Sequence, residues 1–290
     1  MNVWVTGGKG MLGMTLCHLL EAEKIPYVST GSEVDITNIE DLHIFISKHP
    51  EVTHIMNCAA YTQVDLAEKE ISAAYAINVH GPLNLGTIAN EYHLHMIHFS
   101  SDYVFDGKGK TPYQENSPCQ PLNVYAQTKR AGEIMLFDEH PQACIIRTSW
   151  LFGLYGKNFV TTMLNLMKER DTVHVVFDQK GRPTFCDDLC RAAIALGLAD
   201  SSGIFHFANE GAVSWYAFAL GIAEEAKRLH IPLKVSAIEP IPSVKYPTPA
   251  KRPAYSVLNT SKIESVLQYR PRKWKEALSD YLQQLIIFKR

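Results

Sequence analysis

An excess of charge of one sign is missing from this sequence. Its 28 Lys and Arg stand against 30 Asp and Glu, a formal net charge of −2 over 290 residues. Nucleic acid and anionic membrane surfaces are recognised through a concentrated positive field, so neither is favoured as a partner. The six cysteines, Cys17, Cys58, Cys119, Cys144, Cys186 and Cys190, include no C-x-x-C pair. Cys186 and Cys190 can share a helix face, but no second ligand pair lies nearby, which argues against zinc. Scattered thiols suit a reducing compartment. The opening MNVWVTGGKG lacks a signal-peptide hydrophobic region, and no apolar run is long enough to span a bilayer. Internal repeats and low-complexity tracts are missing too. The expectation is a cytoplasmic globular protein, free of membrane and nucleic acid.

What is present is 46% hydrophobic residues, enough for one large core or two modest ones. The first half alternates strand-like runs (Val3–Thr6, Tyr27–Thr30, His54–Ala59, Met96–Ser100, Cys144–Thr148) with helix-period stretches. Those stretches are Met11–Glu23, Ile39–Lys48, Ala67–Tyr92 with a break at Gly81-Pro82, and Tyr125–Phe137. This rhythm predicts an α/β, Rossmann-type doubly wound parallel sheet over 1–150. After Gly153 the rhythm changes, and 151–290 is expected to form a smaller α/β lobe, with about 172–200 returning to the first. The segment IPSVKYPTPAKRP holds too many prolines for a regular element and reads as a surface loop crossing a groove. A final helix is expected over Trp274–Phe288.

Between the first strand and first helix lie Gly7, Gly10 and Gly13, spaced G-x-x-G-x-x-G. Such glycines permit a tight turn, close approach of backbone to a pyrophosphate, and close packing of helix on strand. The phosphates then meet the positive end of the helix. The second strand ends Val28-Ser29-Thr30-Gly31 without an acid for the two ribose hydroxyls of NAD, while Lys9 sits in the glycine loop. That favours NADPH over NADH, with Lys9, Ser29 and Thr30 as candidate contacts; ordinary turn residues are the competing reading.

Two further pieces follow: SSDYVFDG from Ser101's neighbour Ser100 onward, and NVYAQTKRAGE, which sets Tyr125 and Lys129 one helical turn apart. A phenol is a reluctant acid at neutral pH, with an ordinary pKa of about 10. An ammonium on the same helical face, together with the charge of an oxidised nicotinamide, is expected to lower that value. A strand-end hydroxyl, Ser101 with Ser100 as substitute, can orient a carbonyl.

Glycine loop, strand-end serines and Y-x-x-x-K together resemble the extended short-chain dehydrogenase/reductase family. The segments NCAAYTQVD, SSDYVFDG, PLNVYAQTK, RTSWLFG, FDQKGRPT and YPTPAKRPAYSVLNTSK, in that order, narrow the resemblance to the dTDP-4-dehydrorhamnose reductases. Asn78 in NVHGPLNL matches the superfamily's helical asparagine. The resemblance implies reduction of the 4-keto group of dTDP-4-dehydro-L-rhamnose by NADPH, with NADH as the alternative. It makes Ser101, Tyr125 and Lys129 the catalytic trio. Cofactor contacts would come from Gly7, Lys9, Gly10, Met11, Leu12, Gly13, Asp35, Ile36, Ala59, Ala60, Tyr61, Tyr125 and Lys129. Asp102, Val104 and Trp150 would face the sugar, Trp150 offering an apolar wall to a deoxysugar methyl. Arg252, with Lys251, would meet the diphosphate. The second lobe, 151–290, would hold the nucleotide sugar.

Some relatives are described as using a divalent metal held by acids at a dimer interface. Met14-Thr15 supplies no acid after the glycine loop, so no metal is expected, and the chain is read as a monomer or homodimer. Two rivals stand beside this reading: a dinucleotide-binding regulatory subunit of the methionine adenosyltransferase type, and a nucleotide-sugar 4-epimerase or epimerase-reductase. The first needs neither an apolar sugar wall nor a tuned phenol; the second would retain tightly bound NAD.

Overall fold

Six parallel strands form the centre of the molecule. The computed structural model describes residues 1–288; residues 289 and 290, the end of the second lobe as divided above, lie outside the described residues. The strands are β1 (Val3–Thr6), β2 (Tyr27–Thr30), β3 (His54–Asn57), β4 (His95–Ser101), β5 (Cys144–Thr148) and β6 (Gly203–His206). Their spatial order is β6-β5-β4-β3-β1-β2. Both faces are buried, so the strands read as continuous apolar runs rather than as alternation.

The two faces nevertheless collect different residues. Val3, Val5, Met56, Ile97 and Ile146 point to one side, beneath the helices Met11–Ala22 and Cys186–Leu198. Trp4, Ile55, Met96 and Ile145 point to the other, beneath Ile39–Ser47, Gly81–Glu91 and Val124–Glu139. This is the doubly wound arrangement expected from the sequence. Each fully buried Leu or Ile in these layers contributes about 1.5–3 kcal/mol.

The stretch Ala67–Tyr92, expected to break at Gly81-Pro82, forms two short helices, Val64–Ala67 and Ile71–Tyr75, then a π-helical turn Ala76–His80 leading into a helix that starts at Gly81 (Gly81–Glu91). Pro82 falls in the first turn of that last helix, where its missing N–H costs nothing. The π-turn carries Asn78, whose side chain accepts from Tyr61 N–H at 2.9 Å and donates to the Tyr61 carbonyl at 3.1 Å and Thr128 Oγ1 at 3.0 Å. One asparagine thereby clamps the segment after β3 to the Val124–Glu139 helix.

A second core gathers Phe152, Val160, Leu164, Val173, Val175, Phe185, Phe218, Ile222, Trp274 and Tyr281. Within 172–200, the strand Thr172–Val176 pairs with Ala237–Ile241 in this second lobe, whereas Cys186–Leu198 packs on the main sheet. The chain then supplies β6 to the sheet edge beside β5. The last helix runs Trp274–Phe288, as its periodicity indicated. Among the described residues, no helix is long and apolar enough to cross a membrane.

Candidate active site

The strand order reverses between β1 and β3, and ligands of open α/β sheets bind at that switch, outside the carboxyl ends of the strands. Gly7 closes β1 with φ of +67°, and a Cβ there would stand 2.5 Å from the Ala59 nitrogen. The loops after β1 and β3 can approach this closely only with glycine at position 7. Gly10 N–H returns to the Gly7 carbonyl at 3.0 Å, and a Cβ on Gly13 would strike that same carbonyl. Helix Met11–Ala22 then starts at Gly10 with no side chain capping it. Its first N–H groups are left to a ligand at the positive end of the helix.

A cleft of about 550 Å³ opens here. Gly10, Met11, Leu12, Ala59 and Ala60 line one wall, and Ser101, Asp102, Tyr125, Lys129 and Trp150 line the other. Tyr125 is thus among the residues lining the crevice above the strand ends. Helix Val124–Glu139 begins at Asn123, whose side chain accepts from Ala126 N–H at 2.8 Å and donates to the Lys251 carbonyl at 2.9 Å. The proline-rich loop thus anchors the turn that presents Tyr125. The Tyr103 ring meets that of Tyr125 edge-on, 6.1 Å between centroids.

Ser101 ends β4; its hydroxyl donates to Asp102 Oδ1 at 3.1 Å and accepts from Tyr103 N–H at 3.2 Å. Ser100 is committed elsewhere, donating to the buried Glu133 Oε1 at 2.6 Å. Burial pushes the Asp102 carboxyl up to about 7, against hydrogen bonds from Ser256 and Ser101 that lower it. Burial pushes the Tyr125 phenol up to about 12, against a lowering hydrogen bond from Ser101 and with a small addition from Asp102. The drop expected from Lys129 is not seen in this arrangement. The Lys129 amine is turned to the strand end, 2.7 Å from the Phe99 carbonyl and 3.2 Å from His98 Nε2, and burial lowers it to about 8.

Several residues singled out in the sequence do not line the cleft. Asp35 Oδ1 accepts from the Thr37 N–H and hydroxyl at 2.9 and 2.8 Å, holding the turn before the Ile39–Ser47 helix. Ile36 lies in the core over Gly81, Val104 is fully buried against Phe105 and Leu258, and Tyr61 is buried with its hydroxyl donating to Glu70. Lys9 is exposed and ion-paired to Glu33 at 2.9 Å. Glu33, two residues past Gly31, also accepts from Gly31 N–H at 2.6 Å, and these bonds pull its carboxyl down to about 2. Val28-Ser29-Thr30-Gly31 carries no acid, but the turn after β2 folds back far enough for Glu33 to meet Lys9.

Trp150 holds a left-handed backbone, φ +49°, and stacks on Trp215 with centroids 3.4 Å apart and planes within 7°. A Cβ on Gly181 would stand 2.5 Å from the indole, so glycine there leaves the ring its seat. Trp215 was not anticipated; its one sequence signal is Ser214, which caps the helix Trp215–Arg228 and so fixes where the indole starts. Trp215 also lines an adjoining pocket of about 570 Å³ with Phe159, Tyr246, Thr248 and Arg252. There Arg252 is paired with Asp65 at 2.7 Å.

Among the described residues, the group arranged to hold a metal is His54, His95 and Asp200, at the opposite ends of β3 and β4. Both imidazoles are already engaged with the carbonyls of Gly197 and Ser201 that end the Cys186–Leu198 helix, at 3.2 and 2.9 Å. That placement has nothing to do with the cleft.

Residues 1–287 match the RmlD substrate binding domain family. A dTDP-4-dehydrorhamnose reductase of Aggregatibacter actinomycetemcomitans is 41% identical over 285 residues, 95% of this chain and 96% of the relative. One from Escherichia coli (strain K12) is 36% identical over 295 residues, 98% of each. The crystal structure of a dTDP-4-dehydrorhamnose reductase from Bacillus anthracis in complex with NADP superposes with a TM-score of 0.92 at 34% identity, covering 98% of this chain and all of that one.

Proposed function

From a chain that belongs to the RmlD substrate binding domain family, and so to the oxidoreductases, we propose reduction of the 4-keto group of dTDP-4-dehydro-L-rhamnose by NADPH. The observation that carries this reading is that Tyr125, Ser101 and Lys129 all line one cleft at the switch point of the sheet. The glycine turn fits a dinucleotide, since a side chain at Gly7 or Gly13 would strike Ala59 or the Gly7 carbonyl and force the turn away from the uncapped helix start. Thr148 Oγ1, also on the cleft wall, is buried without a hydrogen-bond partner.

Bound in this cradle, NADPH supplies the hydride. Gly10, Met11 and Leu12 hold the pyrophosphate at the helix terminus, and Ala59 and Ala60 are small enough to admit the adenosine half. Lys129 would swing from the Phe99 carbonyl to reach the nicotinamide ribose. Ser101 would turn its hydroxyl from Asp102 Oδ1 to the ketone oxygen and hold that oxygen at the Tyr125 hydroxyl. Tyr125 gives its proton to that oxygen as negative charge develops. A phenol near 12 is fully protonated at neutral pH, the form a proton donor needs. Trp150, braced by Trp215, covers the apolar face of the sugar. The nucleotide extends toward the adjoining pocket, where Arg252 answers the diphosphate once Asp65 releases part of its hold.

Against a regulatory binding module, the reading rests on this acid and its apolar wall, neither of which binding alone requires. Consumption of NADPH that depends on the keto-sugar tests it: turnover is expected with dTDP-4-dehydro-L-rhamnose, and none with clean substrate would end the proposal. Protein purified with stoichiometric bound NAD would favour the epimerase reading instead.

The Lys9–Glu33 pair bears on cofactor choice. Glu33→Gln frees Lys9 for a 2′-phosphate and is expected to raise the NADPH-to-NADH ratio of kcat/KM by roughly two- to fivefold, the size of a surface ion pair. An unchanged ratio would mean that Lys9 does not face the adenosine ribose.

A further inference from the structure

Behind the cleft wall lies a fully buried imidazole that the proposed chemistry does not use. His98 is on β4, three residues before Ser101, and has no solvent exposure. Its Nδ1 is 3.0 Å from Asn57 Nδ2, and its Nε2 is 3.2 Å from Lys129 Nζ. A neutral imidazole has one N–H and one lone pair, so the two partners cannot be met in the same way.

Asn57 decides which nitrogen carries the proton. Its Oδ1 accepts from the Ala59 backbone N–H at 3.0 Å and from the Thr6 hydroxyl at 2.8 Å. A backbone N–H can only donate, so the amide cannot turn over without setting donor against donor. Asn57 must therefore offer its NH₂ to His98, and His98 Nδ1 must be the lone-pair nitrogen. The proton is left on Nε2, aimed at Lys129.

Lys129 meets this N–H from the other side. As an ammonium it would send one N–H to the Phe99 carbonyl at 2.7 Å and press another against the His98 N–H. As an amine it keeps the first bond and accepts the second on its lone pair. Protonating His98 as well would place two cations together in a buried site, and its basicity is lowered well below the ordinary value by burial and by Lys129. The other groups facing Lys129 are Tyr125 one turn before it, neutral at physiological pH, and Glu133 one turn after it. Glu133 favours the ammonium, but its charge is answered by Arg147 and Arg130 at 2.7 and 2.8 Å.

We infer that His98 is a positioning residue acting through Lys129: locked as the Nε2–H tautomer, it opposes the ammonium form of the lysine, making it easier to deprotonate, and keeps the amine turned toward β4. Asn57 and Ala59, which fix the tautomer, stand at the loop after β3 that also walls the cleft. The inference deepens the proposed reductase reading and rests on it for its kinetic arm only.

Nitrogen-15 NMR of protein labelled in histidine reads the tautomer with no catalysis involved. The His98 resonances are expected to show a protonated Nε2 and a bare Nδ1, unchanged from about pH 6 to about pH 8. A proton on Nδ1, or an imidazolium at the lower pH, would overturn the inference whatever the enzyme's activity. In the kinetic arm, His98→Gln can present a carbonyl oxygen to Lys129 and so favour the ammonium. If the ammonium is the active form, the alkaline limb of kcat/KM moves up by roughly one pH unit, because one hydrogen bond is exchanged from opposing to favouring the charge. A uniform loss at every pH, with the limb unmoved, would mean that His98 only fills space. Absence of keto-sugar reduction by the wild type would sink the function reading while leaving the NMR result to stand or fall alone.

Discussion

Replacing Tyr125 by phenylalanine is expected to lower kcat for keto-sugar reduction by roughly 10²–10⁴-fold, the usual worth of a positioned general acid. The ring remains, so its edge-on contact with Tyr103 and the start of the Val124–Glu139 helix are kept. Stability should change by less than about 0.5 kcal/mol, and NADPH affinity should hold, because Gly10, Met11, Leu12 and Lys129 are untouched. Loss confined to kcat identifies an interaction made only in the transition state. The pH profile supplies a second check. A group required in its protonated form loses activity as pH rises through its pKa, and for a phenol near 12 that point lies beyond any usable assay range. The accessible alkaline limb then belongs to Lys129, near 8. A phenylalanine variant within about tenfold of the wild type would remove Tyr125 from the acid role.

The features legible in the sequence are those set by local spacing. The G-x-x-G-x-x-G loop, the strand-end serines and the four-residue interval from Tyr125 to Lys129 each encode a conformation within a few residues, and each lines or builds the cleft. Strand and helix rhythm likewise gave five of the six strands of the sheet; β6, at Gly203–His206, falls outside the segments assigned to it. What escaped depends on contacts between distant segments. Glu33 meets Lys9 only after β2 returns beside β1, and Trp215 reaches Trp150 across 65 residues of chain. Arg252 reads as a free cation among prolines until Asp65, 187 residues away, is seen beside it. His98 sits in a buried strand where its position carries no periodic signal, and its meaning comes from Asn57 and Lys129. The direction of the Tyr125 shift differs from the expected one for the same reason. Spacing places Lys129 on the face of Tyr125, but burial, which sequence does not display, dominates both groups.

Glu133→Ala is expected to destabilise the fold by about 3–5 kcal/mol, the cost of leaving a buried charge without its partner. Glu133 and Arg147 are both buried and joined by two hydrogen bonds, Nε to Oε1 at 2.8 Å and Nη2 to Oε2 at 2.7 Å. Arg147 lies on β5 and Glu133 on the helix that carries Tyr125 and Lys129, so the pair fixes that helix over the sheet. Removing the carboxylate strands the guanidinium, unpairs the Ser100 hydroxyl and opens a void. For a chain of this size the midpoint of thermal unfolding should fall by roughly 10 °C. Burial alone would raise the Glu133 carboxyl, but hydrogen bonds from Arg147, Ser100 and Arg130 outweigh it and the net value is lowered. A depressed folded value means that the stabilisation is full above the ordinary carboxylate range and is lost as pH falls through the folded one. The gap between wild type and Glu133→Ala should therefore narrow in acid, measured by chemical denaturation across pH. Replacing both partners by apolar residues, Glu133→Leu with Arg147→Met, is expected to cost less than Glu133→Ala alone, since no charge is then left unpaired. If the double variant is instead the less stable of the two, the pair contributes net binding energy and not only mutual neutralisation. Residual kcat in the folded fraction of either variant separates this helix-anchoring role from the proton transfer assigned to Tyr125.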